Sequence, residues 1–174
     1  MMKNYYPELP IIPYQKTTVQ MTVVIDYLKS LEIPAEIKRA TYVIFRNESA
    51  NGSKGINNNY IGFQSDSGRW QAKYDQYLAG VCIKTENKTG KERGFLCFKS
   101  WENSIDILCD KLKDRGIYIG GKTNKITSIS VDNINLLAVA YLREWVTGLS
   151  TYNPNENELN NFYSMYHQAE KLFL

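Results

Sequence analysis

The chain has 174 residues, of which 43% are hydrophobic and 22% are charged, proportions typical of a globular domain with one hydrophobic core. Its 21 basic and 18 acidic residues give a formal net charge of +3, which is too small to indicate a nucleic-acid-binding protein and is compatible with an anionic polymer. We therefore expect a single domain over residues 1–174, without nucleic acid as a partner.

The cysteines Cys82, Cys97 and Cys109 are far apart, and the one histidine, His167, lies near the C-terminus. This spacing does not fit a metal site, so we expect no metal and no cofactor. The odd number of cysteines favours reduced thiols over a disulfide framework. Cys82 and Cys97 could face each other across a hairpin, but the favoured interpretation is that both are small buried apolar residues.

The sequence contains no apolar run of transmembrane length, so we expect no membrane span. Its first residues, "MMKNYYPELPIIPYQK", lack the basic start and the continuous apolar core of a signal peptide. We therefore expect a protein that is made in the cytoplasm and that would need another export route to act outside the cell.

An extended arm is expected over residues 1–16, because this segment holds three of the five prolines: Pro7, Pro10 and Pro13. Helical periodicity starts after Thr17 or Thr18 and gives a first helix with an apolar stripe of Val24, Tyr27, Leu28 and Leu31. The segment "EIP" ends that helix, and Pro34 suits the first turn of a second helix that ends around Glu48.

The middle of the chain is predicted to form a loop, a hairpin and a third helix. Asn, Gly and Ser crowd residues 50–68, which indicates a long, irregular loop with a functional role. Two β-prone runs, "YLAGVCIKT" and "RGFLCF", flank "ENKTGK", where Gly90 suits a hairpin turn. Ser100 then caps a helix that "DRGIYIGG" closes and whose apolar row is Ile105, Leu108, Cys109 and Leu112.

Two more helices are predicted towards the C-terminus. One covers about residues 132–147, stops at Gly148, and has the inward residues Ile134, Leu137, Tyr141, Leu142 and Trp145. The last helix has the apolar residues Leu159, Phe162, Tyr166, Ala169 and Phe173. The predicted fold class is therefore α+β, a mainly helical body with a small β-hairpin lobe.

Glu48 is the first candidate for a chemical role. Apolar positions spaced three and four apart on the second helix lead from Ile37 and Ile44 to Glu48, which predicts that its carboxylate is buried. A buried carboxyl holds its proton to a higher pH than an exposed one and can therefore act as a general acid. The alternative is a helix-terminal glutamate that points to water.

The loop that follows offers groups that recognise sugars: Asn57, Asn58, Asn59, Tyr60 and Trp70. Amides hydrogen-bond to hydroxyl and N-acetyl groups, and flat aromatic rings stack on sugar rings, so an amino-sugar polymer would suit this set. The alternative is a turn-rich connection whose tyrosine and tryptophan belong to the core.

The stretch "ESANGSKGINNNYIGFQ" resembles the signature of the family-73 glycoside hydrolases, the peptidoglycan N-acetylglucosaminidases that include the flagellar wall-cutting enzyme and many autolysins. That signature has Glu-Ser, a glycine and a serine shortly after, then Asn-Asn, an apolar or aromatic pair, Gly and an apolar residue. The matching residues are Glu48, Ser49, Gly52, Ser53, Asn58, Asn59, Tyr60, Ile61, Gly62 and Phe63.

Two later stretches follow the family's order. "FLCFKSWENSIDIL" is similar to its Phe-Arg-x-Tyr-x-Ser segment and the helix after it, through Phe95, Phe98, Ser100, Glu102, Ser104 and Ile105. "RGIYIGG" resembles its Arg-Tyr-Ala-Gly segment and puts Tyr118 on the family's conserved tyrosine. The likeness spans about Pro34 to Gly120, with a shorter first loop, Asn51 at the place of an aromatic residue and Leu96 at the place of an arginine.

The second carboxylate of the family lies in a Thr-x-Glu-Tyr strand of the β lobe. Here "KTENKTGKE" has a threonine directly before Glu86, so Glu86 is the predicted counterpart and Glu92, on the other arm of the hairpin, is the alternative. Each of the two could instead be an exposed hairpin charge.

The resemblance implies a single lysozyme-like domain that hydrolyses peptidoglycan glycan strands at the N-acetylglucosaminyl bond. Glu48 would be the general acid, Glu86 would activate water or leave attack to the substrate's acetamido group, and Tyr118 would stabilise the developing charge. The implied substrate-binding residues are Asn58, Asn59, Tyr60, Gln64 and Trp70.

Other functions stay open on the same scaffold. A lytic transglycosylase or a muramidase would use the same glutamate, and a non-catalytic wall-binding or phage structural module would not. Action in the cell wall or periplasm would require delivery by a secretion machine, a phage or a parent assembly. The protein partners left open are a secretion, a phage or an immunity-type protein.

Overall fold

The computed structural model describes residues 8–65, 70–86, 89–115, 117–119, 122–124 and 134–174, with the backbone alone at residues 115, 117–119, 122–124 and 144. The fold is α+β and mainly helical, as the sequence predicts. Its α-helices are α1 (Met21–Ser30), α2 (Ala35–Ser49), α3 (Glu102–Arg115), α4 (Ile134–Tyr141) and α5 (Glu156–Leu172). Its strands are β1 (Lys16–Thr17), β2 (Gly55–Ile56), β3 (Leu78–Thr85), β4 (Glu92–Phe98), β5 (Ile117–Ile119) and β6 (Lys122–Asn124).

The chain divides into two compact units. The first comprises Phe45–Ile107 and the chain before Ile25, and the second comprises Ile25–Ile44 and the chain after Ile107. Within the described residues, the strands form three two-stranded antiparallel sheets, β1–β2, β3–β4 and β5–β6. The expectation of a single domain over residues 1–174 stays a prediction.

Local signals place the first two helices as predicted. α1 buries Val24 and Leu28 from its apolar stripe. Pro34 precedes α2, and its carbonyl accepts hydrogen bonds from the amides of Ile37 and Lys38. Since proline has no N–H to leave unsatisfied, it is well suited to open a helix there.

The predicted hairpin is β3–β4, which pairs from Leu78 opposite Phe98 to Thr85 opposite Glu92. Another segment of the chain pairs with each of its two outer edges. On one side the arm runs parallel to β3, where the Ile12 amide donates to the Val81 carbonyl at 2.9 Å. On the other side the Leu96 amide donates to the Phe63 carbonyl at 3.0 Å, which adds residues 63–65 to β4. These contacts satisfy backbone groups that a bare hairpin would leave open.

A hydrophobic cluster in the first unit packs beside this hairpin. Its buried members are Trp70, Tyr74, Leu78, Leu96, Phe98 and Ile107. The rings of Trp70 and Phe98 stack at a centroid distance of 6.0 Å. The hairpin is therefore anchored by aromatic burial, the largest apolar contribution that single side chains make.

The second unit contains α4, α5 and the end of α3. Tyr141 of α4 packs on Phe162 of α5, with ring centroids 5.6 Å apart. The predicted helix up to residue 147 continues from α4 as a π-helical turn, Leu142–Thr147, and ends at Gly148, whose φ is 67°. Asn155 caps α5 through a capping box with Glu158. Residues 131–133, where that predicted helix begins, lie outside the described residues.

Candidate functional site

The segment after Glu48 makes a left-handed turn that ends α2. Ala50, Asn51 and Gly52 have φ values of 48°, 56° and 78°. The Ser49 hydroxyl donates to the Phe45 carbonyl and accepts from the Gly52 amide at 2.8 Å, so it ties the last helical turn to the loop. An alanine in this backbone region costs about 1–2 kcal/mol, which the surrounding contacts must offset.

Glu48 is exposed, so the prediction that its carboxylate is buried is wrong. The buried row of α2 runs through Ile37, Thr41 and Phe45 to Ser49 rather than to Glu48. Residues 40–45 are all buried, Ile44 included, but one turn later Ser49 is buried and Glu48 is exposed, so the buried row that contains Ile44 does not continue to Glu48. The catalytic role of Glu48 stays a prediction. The helix does not bury its carboxylate in the apolar surroundings that were expected for this role.

The asparagine triplet forms a tight reverse turn. Asn57 and Asn58 have φ values of 45° and 66°, and Ile56 and Asn59 exchange two backbone hydrogen bonds of 3.0 and 2.8 Å around them. Two left-handed residues inside such a pair define a type I′ turn, for which asparagine is among the preferred residues. Among the described residues other than glycine, those with positive φ all lie between positions 50 and 58.

The N-terminal arm holds this turn in place. The Asn57 side chain accepts from the Gln15 amide at 2.8 Å and donates to the Pro13 carbonyl at 3.0 Å. The Asn58 amide donates to the Thr17 hydroxyl at 3.0 Å. The side-chain amide of Asn57 is therefore used inside the protein. Asn58 is half-buried.

Asn59 is a buried structural residue, which contradicts its prediction as a sugar contact. Its Nδ2 donates to the carbonyls of Phe63 and Leu96, at 3.0 and 2.8 Å. Its Oδ1 accepts from the amides of Ile61 and Phe63, at 3.2 and 3.3 Å. An asparagine side chain has two donors and two acceptor sites, so this amide has no capacity left for a ligand.

Tyr60 and Trp70 belong to the core, so their prediction as sugar-stacking residues is also wrong. Tyr60 is 1% exposed and packs on Phe45 with ring centroids 5.4 Å apart. Its hydroxyl has no hydrogen-bond partner of normal geometry within the described residues. Burial raises the pKa of the Tyr60 phenol, and the neighbouring Thr17 side chain lowers it in part. The Trp70 indole donates to Asp75 at 2.9 Å.

The two longer motifs that suggested the family are bonded to each other. Ser104 is buried on α3, donates to the Asn58 carbonyl at 2.8 Å and accepts from the Tyr60 amide at 3.0 Å. The Phe98 amide donates to the Asn57 carbonyl at 3.0 Å. Hydrogen bonds therefore join three segments into one assembly: the asparagine loop (residues 57–60), the end of β4 and the start of α3.

Glu86 and Gln64, two predicted site residues, are connected through Arg93. Arg93 Nε lies 3.1 Å from Glu86 Oε1, and Arg93 Nη1 donates to Gln64 Oε1 at 3.2 Å. The Thr89 hydroxyl donates to Glu86 Oε2 at 2.8 Å. Arg93 is not among the residues predicted from the sequence, although its charge is opposite to that of Glu86 and its position is diagonal to Glu86 across the predicted hairpin, which could have indicated it.

The remaining candidates are less informative. Glu92 is exposed and pairs in register with Thr85. Tyr118 lies on β5, but its side chain falls outside the described residues.

Cys82 and Cys97 are buried free thiols, as the favoured interpretation predicts. In the described part of the chain, no three His, Cys, Asp or Glu side chains group closely enough to hold a metal ion.

No protein-family model, no curated protein and no solved structure matches the chain. Among the helices that the structure describes, none combines the length and apolarity needed to cross a membrane.

Proposed function

We propose that the protein is a glycoside hydrolase that cuts the glycan strands of peptidoglycan at the N-acetylglucosaminyl bond. The observation that supports this most is the hydrogen bonding of the asparagine loop to β4 and α3 through Ser104 and Asn59. Segments that resemble the family's motifs only in sequence thus belong to one assembly, and Glu48 stands exposed at the end of the helix that leads into it.

The position of Glu48 runs against local preference, which also supports a functional role. A glutamate in the last turn of a helix faces the negative end of the helix macrodipole. The left-handed Ala50 and Asn51 that follow add backbone strain. Residues that break local rules concentrate at functional sites.

In the proposed reaction Glu48 protonates the leaving glycosidic oxygen, and Glu86 orients the attacking water. Because Glu48 is exposed, the bound glycan rather than the protein core would exclude water from its carboxyl group. A cell-wall substrate would place the site of action in the wall or periplasm.

Digestion of purified peptidoglycan, followed by mass spectrometry of the released fragments, tests the proposal. We expect fragments with reducing N-acetylglucosamine ends. Glu48→Gln should lower the rate of cleavage by more than about a hundredfold, since general acid catalysis contributes that much. Glu32→Gln, a change at another exposed glutamate, is the matched control and should cleave at the wild-type rate.

Other products would select one of the alternatives. Reducing N-acetylmuramic ends would identify a muramidase, and anhydromuramyl ends a lytic transglycosylase. Full cleavage by Glu48→Gln would rule out Glu48 as the acid.

A non-catalytic wall-binding module is the second candidate. Exposure of Glu48 favours it, because a binding module needs no carboxyl group in a dry pocket. Sedimentation of the wild-type protein with insoluble peptidoglycan, without release of any soluble fragment, would establish this function instead.

A further inference from the structure

Three side chains form a polar row across adjacent segments of the extended hairpin. Gln64 lies on the segment that pairs with β4, Arg93 lies on β4, and Glu86 directly follows β3. Arg93 joins the other two through different nitrogens, Nη1 to Gln64 and Nε to Glu86. Since the guanidinium group is a rigid planar fork, these two contacts fix its orientation.

The second contact of Glu86 fixes its carboxylate as well. Oε1 lies 3.1 Å from Arg93, and Oε2 accepts from Thr89 at 2.8 Å. The Glu86 amide also donates to the Lys91 carbonyl at 2.8 Å, which holds its backbone to the opposite side of the turn. A glutamate beyond the last strand pair would otherwise sample several rotamers. The contacts with the Arg93 and Thr89 side chains hold Glu86 in one of them.

The held carboxylate keeps capacity for a ligand. Each carboxylate oxygen has two acceptor sites, and each oxygen of Glu86 uses one of them within the protein. The side chain is 25% exposed, so water can reach it. The remaining acceptor sites can bind and orient one water molecule.

We propose that Arg93 is a positioning residue for the reaction, acting through Glu86 and held in turn by Gln64. This inference rests on the proposed function and adds a residue that neither the motif resemblance nor the predicted site contains. Arg93 does not touch the reacting atoms; it sets the direction in which the Glu86 carboxylate faces the attacking water. Misplacement of such a group by about 1 Å can cost on the order of a hundredfold in rate.

A double-mutant cycle in kcat tests the inference, with peptidoglycan as substrate and the temperature below the Tm of every variant. Arg93→Gln should lower kcat between about tenfold and a hundredfold with a smaller change in KM. Arg93→Lys keeps the charge but not the fork, and should recover part of the loss. Glu86→Gln with Arg93→Gln should be no slower than Glu86→Gln alone, because both changes act on one carboxylate.

Arg143→Gln is the matched control, since Arg143 Nε also donates a hydrogen bond, at 2.7 Å, to the Tyr152 carbonyl. Its Tm should fall while its kcat stays at the wild-type value. Wild-type kcat in Arg93→Gln, or losses that multiply in the double variant, would overturn the role of Arg93 and leave the proposed function standing. Absence of cleavage by the wild-type protein would overturn both.

Discussion

Ser104 Oγ donates a hydrogen bond of 2.8 Å to the main-chain carbonyl of Asn58, across 46 positions of sequence. The same oxygen accepts from the Tyr60 amide at 3.0 Å. One buried hydroxyl group therefore satisfies a carbonyl and an amide on the two sides of Asn59. The geometry of the asparagine loop depends on a residue of α3 that local sequence does not reveal.

Ser104→Ala should lower the free energy of unfolding by about 1–3 kcal/mol, because the Tyr60 amide loses its partner in a buried environment. Urea unfolding measures the change. Ser53→Ala removes an exposed hydroxyl that bonds the Ala50 carbonyl and should stay within about 0.5 kcal/mol of wild type. Equal losses for the two variants would contradict the importance of the buried contact.

Asn59→Ala should be among the most destabilising single changes in the loop, at about 3 kcal/mol or more. It leaves two carbonyls and two amides without the bonds that the side chain makes. Thermal and urea unfolding measure this, and Asn47→Ala, at an exposed position of α2, serves as the control. A stable Asn59→Ala protein that has lost only peptidoglycan binding would restore the sugar-contact interpretation.

Tyr60→Phe should change the free energy of unfolding by less than about 1 kcal/mol, because the buried hydroxyl makes no well-formed hydrogen bond with the residues that the structure describes. Tyr60→Ala should cost about 3–5 kcal/mol, since it leaves a cavity beside Phe45. If Tyr60→Phe instead weakened substrate binding at unchanged stability, the hydroxyl would be a ligand contact.

Gly52→Ala and Gly90→Ala separate backbone strain from steric contact, because both glycines have positive φ, 78° and 66°. A Cβ at Gly52 would lie 2.2 Å from the Val19 carbonyl oxygen, whereas a Cβ at Gly90 would meet no atom of the described residues within 4 Å. Gly90→Ala should cost about 1–2 kcal/mol. Gly52→Ala should cost about 1–3 kcal/mol more than Gly90→Ala, because the backbone at Val19 must move to admit the new methyl group. Urea unfolding measures both changes, and equal costs would contradict the clash.

The thiol pair predicts how stability changes at alkaline pH. Burial, reinforced by Cys82, raises the pKa of Cys97 from its ordinary value of 9.0 to about 12. Below pH 9 the thiol is protonated in both the folded and the unfolded state, so its contribution to stability is fully present there. As the pH rises towards 12 the unfolded state loses its proton first, and the free energy of unfolding falls by about 1.4 kcal/mol per pH unit.

Between pH 9.5 and 10.5 the free energy of unfolding of Cys97→Ala should therefore fall by about 1 kcal/mol less than that of the wild-type protein. Urea unfolding at both pH values measures it. The tyrosines with raised pKa in the described part of the chain, Tyr60, Tyr152 and Tyr166, titrate in both proteins and cancel in the comparison. Identical slopes for the two proteins would show that Cys97 is not protected from ionisation.

Much of the fold could be predicted because its signals are local. Pro34 opens α2, the β3–β4 strands flank the turn that holds Gly90, and Gly148 ends the π-helical turn, each as the sequence indicates. The site was harder to predict, because hydrogen bonding and burial decided it. Asn59 was expected to bind sugar, yet its partner Leu96 lies 37 positions away.

The sequence by itself determined the helices, the β3–β4 hairpin and the order of the motifs, since apolar spacing and turn residues act over a few neighbours. It did not predict the short strands β1, β2, β5 and β6. Only the tertiary structure decided which polar groups face solvent. Glu48 and Ser49 are one position apart, roughly 100° around a helix, and this rotation buries the serine and exposes the glutamate. The buried row ends at Ser49 because its hydroxyl bonds the Gly52 amide and the Phe45 carbonyl, a closure that the spacing of apolar residues does not encode.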